Sequence, residues 1–212
     1  MKITWIGHSC FKVEKDGFVI LIDPYGDGSV PGLSPVRESA NMVLCSHEHG
    51  DHNNRNAIKL QEAATTPFTI ERINTYHDEV SGAKRGTNQI FIIDDGVNRI
   101  AHLGDLGCVP QAEQLEELKG LDAMLIPVGG YYTIDAQQAS ELVRKTMPRI
   151  AVPMHYRDGE TGYAEIGTVA EFTENMDSVM TIPANGIETT EKLGAQVVVL
   201  QPANRETGHT EE

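Results

Sequence analysis

Four residues that commonly bind metal ions lie close together in the segment CSHEHGDH at positions 45–52. His47 and His49 are two residues apart, so in extended backbone their imidazoles point to the same side. Gly50 can turn the chain, which lets Asp51 and His52 face a second point. This spacing suits a pair of metal ions, which lie about 3.5–4 Å apart in two-metal sites and each need their own ligands.

Three further potential ligands follow apolar runs that have the pattern of β-strands. His77 follows FTIERINTY, Asp105 follows NRIAHL, and His155 follows RIAVPM. Side chains at the ends of such strands converge at one rim of a sheet, where a metal site can be completed. His102 is a rival to His77, but it lies inside a strand pattern, where a histidine is more often a core residue or a residue that supports a ligand. We therefore favour His77 as the third histidine.

The elements that must position these residues alternate between strands and helices. Short apolar or alternating runs predict strands, and amphipathic runs with capping residues predict helices. The predicted strands are 2–6, 10–14, 18–22, 42–46, 68–76, 89–95, 98–105, 122–128, 149–154 and 195–201, and the predicted helices are 54–64, 111–119, 135–147 and 165–176. This order predicts one α/β or α+β layered domain over residues 1–201, followed by a polar, frayed tail at 202–212. The pattern alone does not choose between a doubly wound sheet and two packed sheets.

The chain is strongly acidic: its 212 residues include 17 lysines and arginines against 31 aspartates and glutamates, a net charge of −14. Such a surface repels nucleic acids and anionic membranes. No apolar run is long enough to span a bilayer, and the first residues lack the features of a signal peptide. Three cysteines without CxxC spacing indicate free thiols and a cytoplasmic location.

The order of these motifs resembles the metallo-β-lactamase superfamily. The resemblance extends from Lys2 to about Gln201 and rests on His-x-His-x-Asp-His, a single histidine, Gly-Asp and a strand that ends in histidine. Three finer motifs resemble the branch of metal-dependent hydrolases related to ascorbate-6-phosphate lactonase: GHSCF at 7–11, IDP at 22–24 and VPMHY at 152–156.

The resemblance implies an αβ/βα sandwich of two mixed β-sheets, with helices on the outer faces and the metals at one edge. By matched positions, the first metal would be bound by His47, His49 and His77, and the second by Asp51, His52 and His155. Asp105 would bridge the two metals, and Asp23 would orient ligands; a simple turn residue before Pro24 is the alternative for Asp23.

Several other residues have weaker claims to a role at the site. His8, in the GHSC turn, is a candidate for supporting a ligand or contacting the substrate, and the alternative is a histidine that bonds to the backbone at a strand corner. Tyr156, beside His155, could contact a substrate, and the alternative is a residue that only packs. Lys84 and Arg85 form a basic pair between glycines, which either binds an anionic group of the substrate or is a solvated hairpin tip. Tyr131 and Tyr132 lie in a Gly-Gly turn before a helix, and no role is assigned to them.

Together, these residues predict a hydrolase with two divalent metal ions, most readily Zn²⁺, with Mn²⁺ or Fe²⁺ as alternatives. A hydroxide bridging the metals would attack a small-molecule ester, lactone or phosphodiester, and the candidate catalytic residues are Asp51 and Asp105. The alternatives are a metal-dependent nuclease, which the acidic charge disfavours, and a non-hydrolytic metal-binding protein. The sequence indicates neither the substrate nor the oligomeric state.

Overall fold

The computed structural model describes residues 1–62, 65–194 and 196–206, most of which belong to two packed β-sheets. The first sheet contains, in spatial order, β13 (Gly186–Glu188), β1 (Lys2–Gly7), β2 (Cys10–Lys15), β3 (Phe18–Ile22) and β5 (Met42–Leu44). A separate two-stranded ribbon pairs β4 (Ser39–Ala40) with β6 (Lys59–Leu60).

The second sheet is larger and carries the helices between its strands. Its spatial order is β12 (Val179–Thr181), β14 (Val197–Val199), β11 (Ile150–Met154), β10 (Ala123–Pro127), β9 (Arg99–His102), β8 (Thr87–Asp94) and β7 (Thr69–Tyr76). The helices are α1 (Ala112–Glu117), α2 (Ala136–Thr146) and α3 (Val169–Thr173). Helix α2 connects the parallel strands β10 and β11, as expected for a crossover between parallel strands.

The two faces of the first sheet pack against different parts of the protein, because successive residues of a strand point to opposite faces. Ile3, Val13 and Ile20 belong to the core that the first sheet shares with the second, whereas Ile6 and Leu21 belong to a smaller cluster. That cluster includes apolar residues between positions 25 and 58, so this irregular segment covers the outer face of the first sheet. The period of two along each strand therefore produces the sandwich.

Helix α2 shows why the second sheet can bury its outer face. The Asp135 carboxylate accepts a hydrogen bond from the backbone N–H of Gln138 and caps the first turn. Ala139, Leu142 and Val143 lie on one helical face and are buried. The helix ends at Thr146; the next residue, Met147, has a left-handed backbone, and Pro148 follows. Among the described residues, no helix is long and apolar enough to cross a membrane.

Strand direction brings the predicted ligands to one edge of the sandwich. In the first sheet β1, β3 and β5 run in the same direction, because β1 and β3 are both antiparallel to β2 and β5 is parallel to β3. In the second sheet β7, β9 and β11 also share one direction. Each of these six strands is followed within a few residues by a candidate site residue, so the candidates collect where the strands end.

The predicted helix at 54–64 is wrong. The structure has a single 3-10 turn at Arg55–Ala57, then β6, while residues 63 and 64 lie outside the described part of the chain. Ile58 is buried but Leu60 is exposed, so a helix here would have little apolar surface to bury. Helices depend on such burial more than on propensity, and the backbone pairs with β4 instead.

The C-terminal quarter also differs from the sequence prediction. The helix expected at 165–176 is confined to α3, and strands β12 and β13 were not predicted. Residues 202–206 are not frayed: the backbone N–H groups of Ala203 and Asn204 donate to Trp5 and Ile6 carbonyls, and Arg205 pairs with Asp158. Residues 207–212 of the predicted tail lie outside the described residues. The sandwich of two mixed sheets is confirmed.

Candidate metal centre

A first group of potential ligands consists only of imidazoles. His47 and His49 follow β5, His77 follows β7, and their donor nitrogens lie within 4.8 Å of one another. His47 and His77 are buried, whereas His49 is exposed. This group has the composition predicted for the first metal.

A second group combines imidazoles with a carboxylate. Asp51, His52 and His155 lie together as predicted, and His8 joins them, again with all donor atoms within 4.8 Å. The Nε2 atom of His8 lies 3.3 Å from Oδ2 of Asp51, and the rings of His8 and His155 have centroids 4.1 Å apart. His8 is thus part of the cluster rather than a remote supporting residue.

Asp105 lies between the two groups. Its Oδ2 atom is 3.1 Å from Nε2 of His52 and 3.2 Å from Nε2 of His155, in the second group. The same oxygen is 3.5 Å from Nε2 of His77 and 4.0 Å from Nε2 of His47, in the first group. A carboxylate in this position faces both groups, which is the geometry that a bridging ligand requires.

Asp23 and Ser46 fix the orientation of two of the imidazoles. Asp23 accepts hydrogen bonds from Nδ1 of His52 at 2.9 Å, from the backbone N–H of Ser46 at 2.7 Å and from Oγ of Ser46 at 2.6 Å. Because the Ser46 hydroxyl donates to Asp23, it can accept from Nδ1 of His47 at 2.9 Å. Both histidines therefore direct Nε2 toward Asp105. In known metal sites, a ligand histidine is oriented in the same way by an acceptor that binds its other ring nitrogen.

Unpaired atoms show that these residues fit metal ions. Among the described residues, the buried Nε2 atoms of His47, His52 and His155 have no hydrogen-bond partner, nor does Oδ1 of Asp105. Buried polar atoms without a partner are costly and uncommon in folded proteins. Imidazole nitrogens and carboxylate oxygens that converge in this way are suitable donors for a divalent cation such as zinc.

The pKa values of residues in the cluster are shifted in different directions, so some of the side chains are neutral and others are charged. Burial lowers the pKa of His47 to about 3 and that of His77 to about 4, so both imidazoles are neutral near pH 7. Burial alone would lower the pKa of His52 as well, but the carboxylates of Asp105, Asp23 and Asp51 outweigh it and raise that pKa well above its ordinary value. The pKa of Asp105 is held well below its ordinary value, because nearby histidines outweigh the effect of its burial.

Three residues of the cluster adopt left-handed backbone conformations. The φ angles are 53° for His8, 47° for Asp23 and 53° for His155. Such conformations are uncommon for residues other than glycine and carry a cost of about 1–3 kcal/mol each when strained. The backbone is bent so that these side chains turn into the site as soon as their strands end.

Three predicted residues lie outside the cluster. In His102, Nε2 is 2.8 Å from the carbonyl oxygen of Ser9 and Nδ1 accepts from the backbone N–H of Gly104, so both nitrogens are occupied. Lys84 is exposed and paired with Glu79, which corrects its assignment as a substrate contact. Tyr156 packs against Trp5 and lines a different, very small cavity, which corrects the same assignment for Tyr156.

A cavity of about 320 Å³ opens beside the cluster. Its lining includes His49, Asp51, His77 and Asp105, together with three residues that were assigned no firm role: Arg85, Tyr132 and Tyr163. Sequence reasoning missed Tyr163, whose hydroxyl lies 3.2 Å from Oδ2 of Asp51 and 2.9 Å from the Ser29 carbonyl oxygen. No periodic pattern marks this residue, because it lies in a loop between Gly162 and α3.

Comparisons with known proteins agree with this architecture. Residues 2–155 match the family model described as beta-lactamase superfamily domain. The crystal structure of a putative Zn-dependent hydrolase of the metallo-beta-lactamase superfamily from Thermotoga maritima is 29% identical, with a TM-score of 0.73 over 94% of this chain and 97% of that one. The chain belongs to the metallo-β-lactamase superfamily.

Sequence relatives of this chain include proteins of the UPF0173 group. A UPF0173 protein of Pyrococcus furiosus is 32% identical to this chain, covering 74% of it and 83% of the relative. A UPF0173 metal-dependent hydrolase of Carboxydothermus hydrogenoformans is 28% identical, covering 79% of this chain and 89% of the relative. The similarity thus includes most of the length of these relatives.

Proposed function

We propose that this protein is a metal-dependent hydrolase that acts on a small-molecule ester, lactone or phosphodiester. The observation that carries the proposal is the convergence of unpaired imidazole nitrogens on Oδ2 of Asp105, from His47 in the first group and from His52 and His155 in the second. Two similar proteins support it: the Carboxydothermus relative is named a metal-dependent hydrolase, and the Thermotoga structure is that of a putative Zn-dependent hydrolase.

Two divalent cations would bind in the cluster. The first would be held by His47, His49 and His77, the second by Asp51, His52 and His155, and Asp105 would contact both. Imidazole-rich donors favour zinc, although manganese or iron also fits a mixture of imidazole and carboxylate. Bound cations supply Lewis acidity, because they lower the pKa of water toward neutrality and polarise the carbonyl or phosphoryl group under attack.

The chain's own residues hold the reacting groups in place around Asp51. Burial would raise the pKa of Asp51, but the adjacent imidazoles of His52 and His8 outweigh it and hold that pKa well below its ordinary range. Asp51 is therefore an anion at neutral pH that orients its neighbours rather than a base that stores a proton. The Tyr163 hydroxyl has a single proton and two acceptors, Asp51 and the Ser29 carbonyl, so it can leave Asp51 free to contact a substrate.

The substrate is proposed to be small. The cavity volume lies near the lower end of the range of about 300–1,000 Å³ that holds small molecules. The net charge of −14 opposes approach of nucleic acids, which disfavours a nuclease. Free cysteines at positions 10, 45 and 108 support a reducing, cytoplasmic location as part of the same proposal.

Metal analysis combined with a substrate screen tests this function. Purified protein is analysed for metal content and then assayed with lactones, phosphodiesters, thioesters and β-lactams, before and after removal of metal with a chelator. We expect hydrolysis of at least one ester, lactone or phosphodiester that disappears with the metal and returns when zinc or manganese is restored. A H102Q variant is a matched control, because His102 is a buried histidine outside both donor groups.

Two outcomes would contradict the proposal in different ways. Full metal occupancy without hydrolysis of any of the four classes would indicate a non-hydrolytic metal-binding protein, and a visible absorption band would point to iron. Tight, salt-sensitive RNA binding with metal-dependent cleavage would indicate a nuclease.

A further inference from the structure

The cavity beside the metal centre contains a cationic side chain that the proposed chemistry does not use. Among the residues that line this cavity, Arg85 is the one lysine or arginine. It shares the lining with His49 and His77 of the first donor group and with Tyr132 and Tyr163. A ligand that fills the cavity would therefore meet both the cluster and a guanidinium group.

We propose that Arg85, backed by Tyr132, is an anion-binding subsite, and that the substrate carries a carboxylate or phosphate group besides the bond that is hydrolysed. The inference rests on the proposed function, since it names the class of substrate for that site. It concerns the part of the substrate that is bound and not the part that reacts.

The contacts of Arg85 leave its guanidinium available for a ligand. One nitrogen, Nη2, donates to the carbonyl oxygen of Tyr131 at 3.0 Å, and the guanidinium carbon lies 5.6 Å from the centroid of the Tyr132 ring. Among the described residues no carboxylate lies within 4.0 Å of its nitrogens, whereas the adjacent Lys84 is paired with Glu79. An arginine has five N–H donors, so several remain for a planar or tetrahedral oxyanion.

The loop that carries Arg85 is fixed by one buried carboxylate. Asp78 accepts hydrogen bonds of 2.7–2.9 Å from four backbone N–H groups, those of Val80, Gly82, Lys84 and Arg85. These bonds outweigh burial and lower the pKa of Asp78 to about 2. Because Asp78 directly follows His77, the same short segment positions a candidate metal ligand and Arg85. The distance between metal centre and subsite is thereby set before any substrate binds, which reduces the cost of ordering on binding.

The ring of Tyr132 contacts the guanidinium of Arg85 within the cavity lining. An arginine above an aromatic ring is stabilised by the negative face of the ring. The ring also limits the rotation of the guanidinium, because Tyr132 itself packs against Tyr163 with centroids 5.8 Å apart. The arginine is thus held by a ring and a carbonyl, neither of which neutralises its charge.

This arrangement explains how an acidic protein can select a small anion. Long-range repulsion from a chain of charge −14 acts most strongly on polyanions with many phosphates. A molecule with a single carboxylate or phosphate experiences little of it and gains a charge-assisted hydrogen bond inside the cavity. Charge therefore excludes large ligands at the surface and selects small ones at Arg85.

Equilibrium binding tests the subsite without requiring hydrolysis. Binding of succinate and of inorganic phosphate to the metal-loaded protein is measured by isothermal titration calorimetry, for the wild type and for R85Q, K84Q and Y132F. We expect R85Q to weaken the binding of at least one anion by about 10-fold or more, since a hydrogen bond to a charged group is lost. K84Q is the matched control and should remain within about twofold of the wild type, because Lys84 lies outside the cavity. Y132F keeps the ring and should also bind normally.

The anion that is affected identifies the chemical group, since succinate reports on carboxylates and phosphate on phosphoryl groups. Metal content of R85Q must equal that of the wild type, so that a change at the metal centre is excluded. Equal affinities of R85Q and wild type, an equal loss in K84Q, or no binding of either anion to the wild type would each overturn the subsite.

Kinetics then separates the subsite from the proposed function. For any substrate found by screening, R85Q should raise KM for anionic members and leave neutral analogues unchanged. If no substrate is hydrolysed but R85Q still loses the anion, the subsite stands and the hydrolase proposal fails. If hydrolysis occurs with equal KM values in R85Q and wild type for anionic substrates, the hydrolase stands and the subsite fails.

Discussion

The two donor groups of the cluster differ in charge and in mechanical support. The first group, His47, His49 and His77, has only imidazoles, of which His47 and His77 are buried and His49 is exposed. The second group includes the Asp51 carboxylate and three fully buried histidines. Asp51 also has hydrogen-bond partners in His8 and Tyr163, which restrict its movement.

This difference predicts that the second group binds metal more tightly, whereas the first group is more accessible to a substrate. A cation in the second group would meet a negative ligand and side chains already held by their neighbours, so we expect this group to bind metal more tightly. The first group places two of its three histidines, His49 and His77, on the cavity wall. It is therefore the more open group, and the one that a substrate meets directly.

The largest effect is expected from a substitution that affects both donor groups at once. In D105A, the carboxylate that faces both groups is lost, so both metal equivalents should bind far more weakly and hydrolysis should disappear. Inductively coupled plasma mass spectrometry after dialysis measures the metal, and circular dichroism should show an intact fold. The H102Q control should retain its metal. A metal content in D105A equal to that of the wild type would contradict the bridging role.

A smaller, selective effect is expected from D23N. The asparagine NH₂ group would be a donor facing the Nδ1–H donor of His52. His52 would then lose the tautomer with the proton on Nδ1, which leaves Nε2 able to bind a metal. Loss of such a supporting carboxylate costs about 10–100-fold in metal affinity, and here it should affect mainly the second group. Zinc titration against a fluorescent chelator resolves the tighter and weaker equivalents.

Ser46 provides the matched variant for the first group. S46A removes the hydroxyl that contacts Nδ1 of His47 but retains the backbone hydrogen bond to Asp23. We therefore expect S46A to weaken mainly the weaker zinc equivalent. Identical titration profiles for D23N and S46A would show that the two groups are not independent.

The smallest effect concerns the stability of the metal-free protein against acid. In the unfolded chain histidine has a pKa of about 6.5, whereas burial lowers the pKa of His47 to about 3 and that of His77 to about 4. As the pH falls from 6.5 to 4, the unfolded state takes up protons that the folded state does not, so the free energy of unfolding should decrease. The raised pKa of His52 does not offset this, because its stabilising contribution is already complete below pH 6.5.

Thermal unfolding of the chelated protein at pH 7 and pH 5 measures this effect. The melting temperature should be lower at pH 5, and the difference should shrink in H47Q, which lacks one of the responsible groups. An equal or higher melting temperature at pH 5 would show that His47 and His77 are not held neutral by their burial.

The arrangement of the cluster was predictable because each predicted ligand follows an apolar run. Strand periodicity located the ends of β5, β7, β9 and β11, and parallel strands of one sheet end at the same edge. The preference for His77 over His102 also followed from the pattern, since a histidine inside a strand is usually satisfied locally. The hydrogen bonds of His102 agree with that reasoning.

The cavity wall was less predictable, because loops carry no periodic signal. Tyr163 reaches Asp51 from more than 100 residues away in sequence, and only the folded chain brings them together. Of the adjacent basic residues Lys84 and Arg85, the sequence could not show which one enters the cavity. In the folded loop, Arg85 lines the cavity, whereas Lys84 is exposed and paired with Glu79. The helix predicted at 54–64 fails for a different reason: Leu60 is exposed, so a helix there would bury little apolar surface.

The wide spread of the donors along the chain has a consequence for biosynthesis. His8 lies near the start, the His-x-His-x-Asp-His segment follows, and His155 comes much later, while β1 pairs with β13 near the end. A ribosome releases these residues in order, and a domain of this kind folds as a unit. A growing chain therefore exposes the histidine-rich segment before Asp105 and His155 exist to complete it. The cluster can therefore be completed only after the later strands have been synthesised, and the free-metal composition where the domain folds will decide which ion the cluster receives.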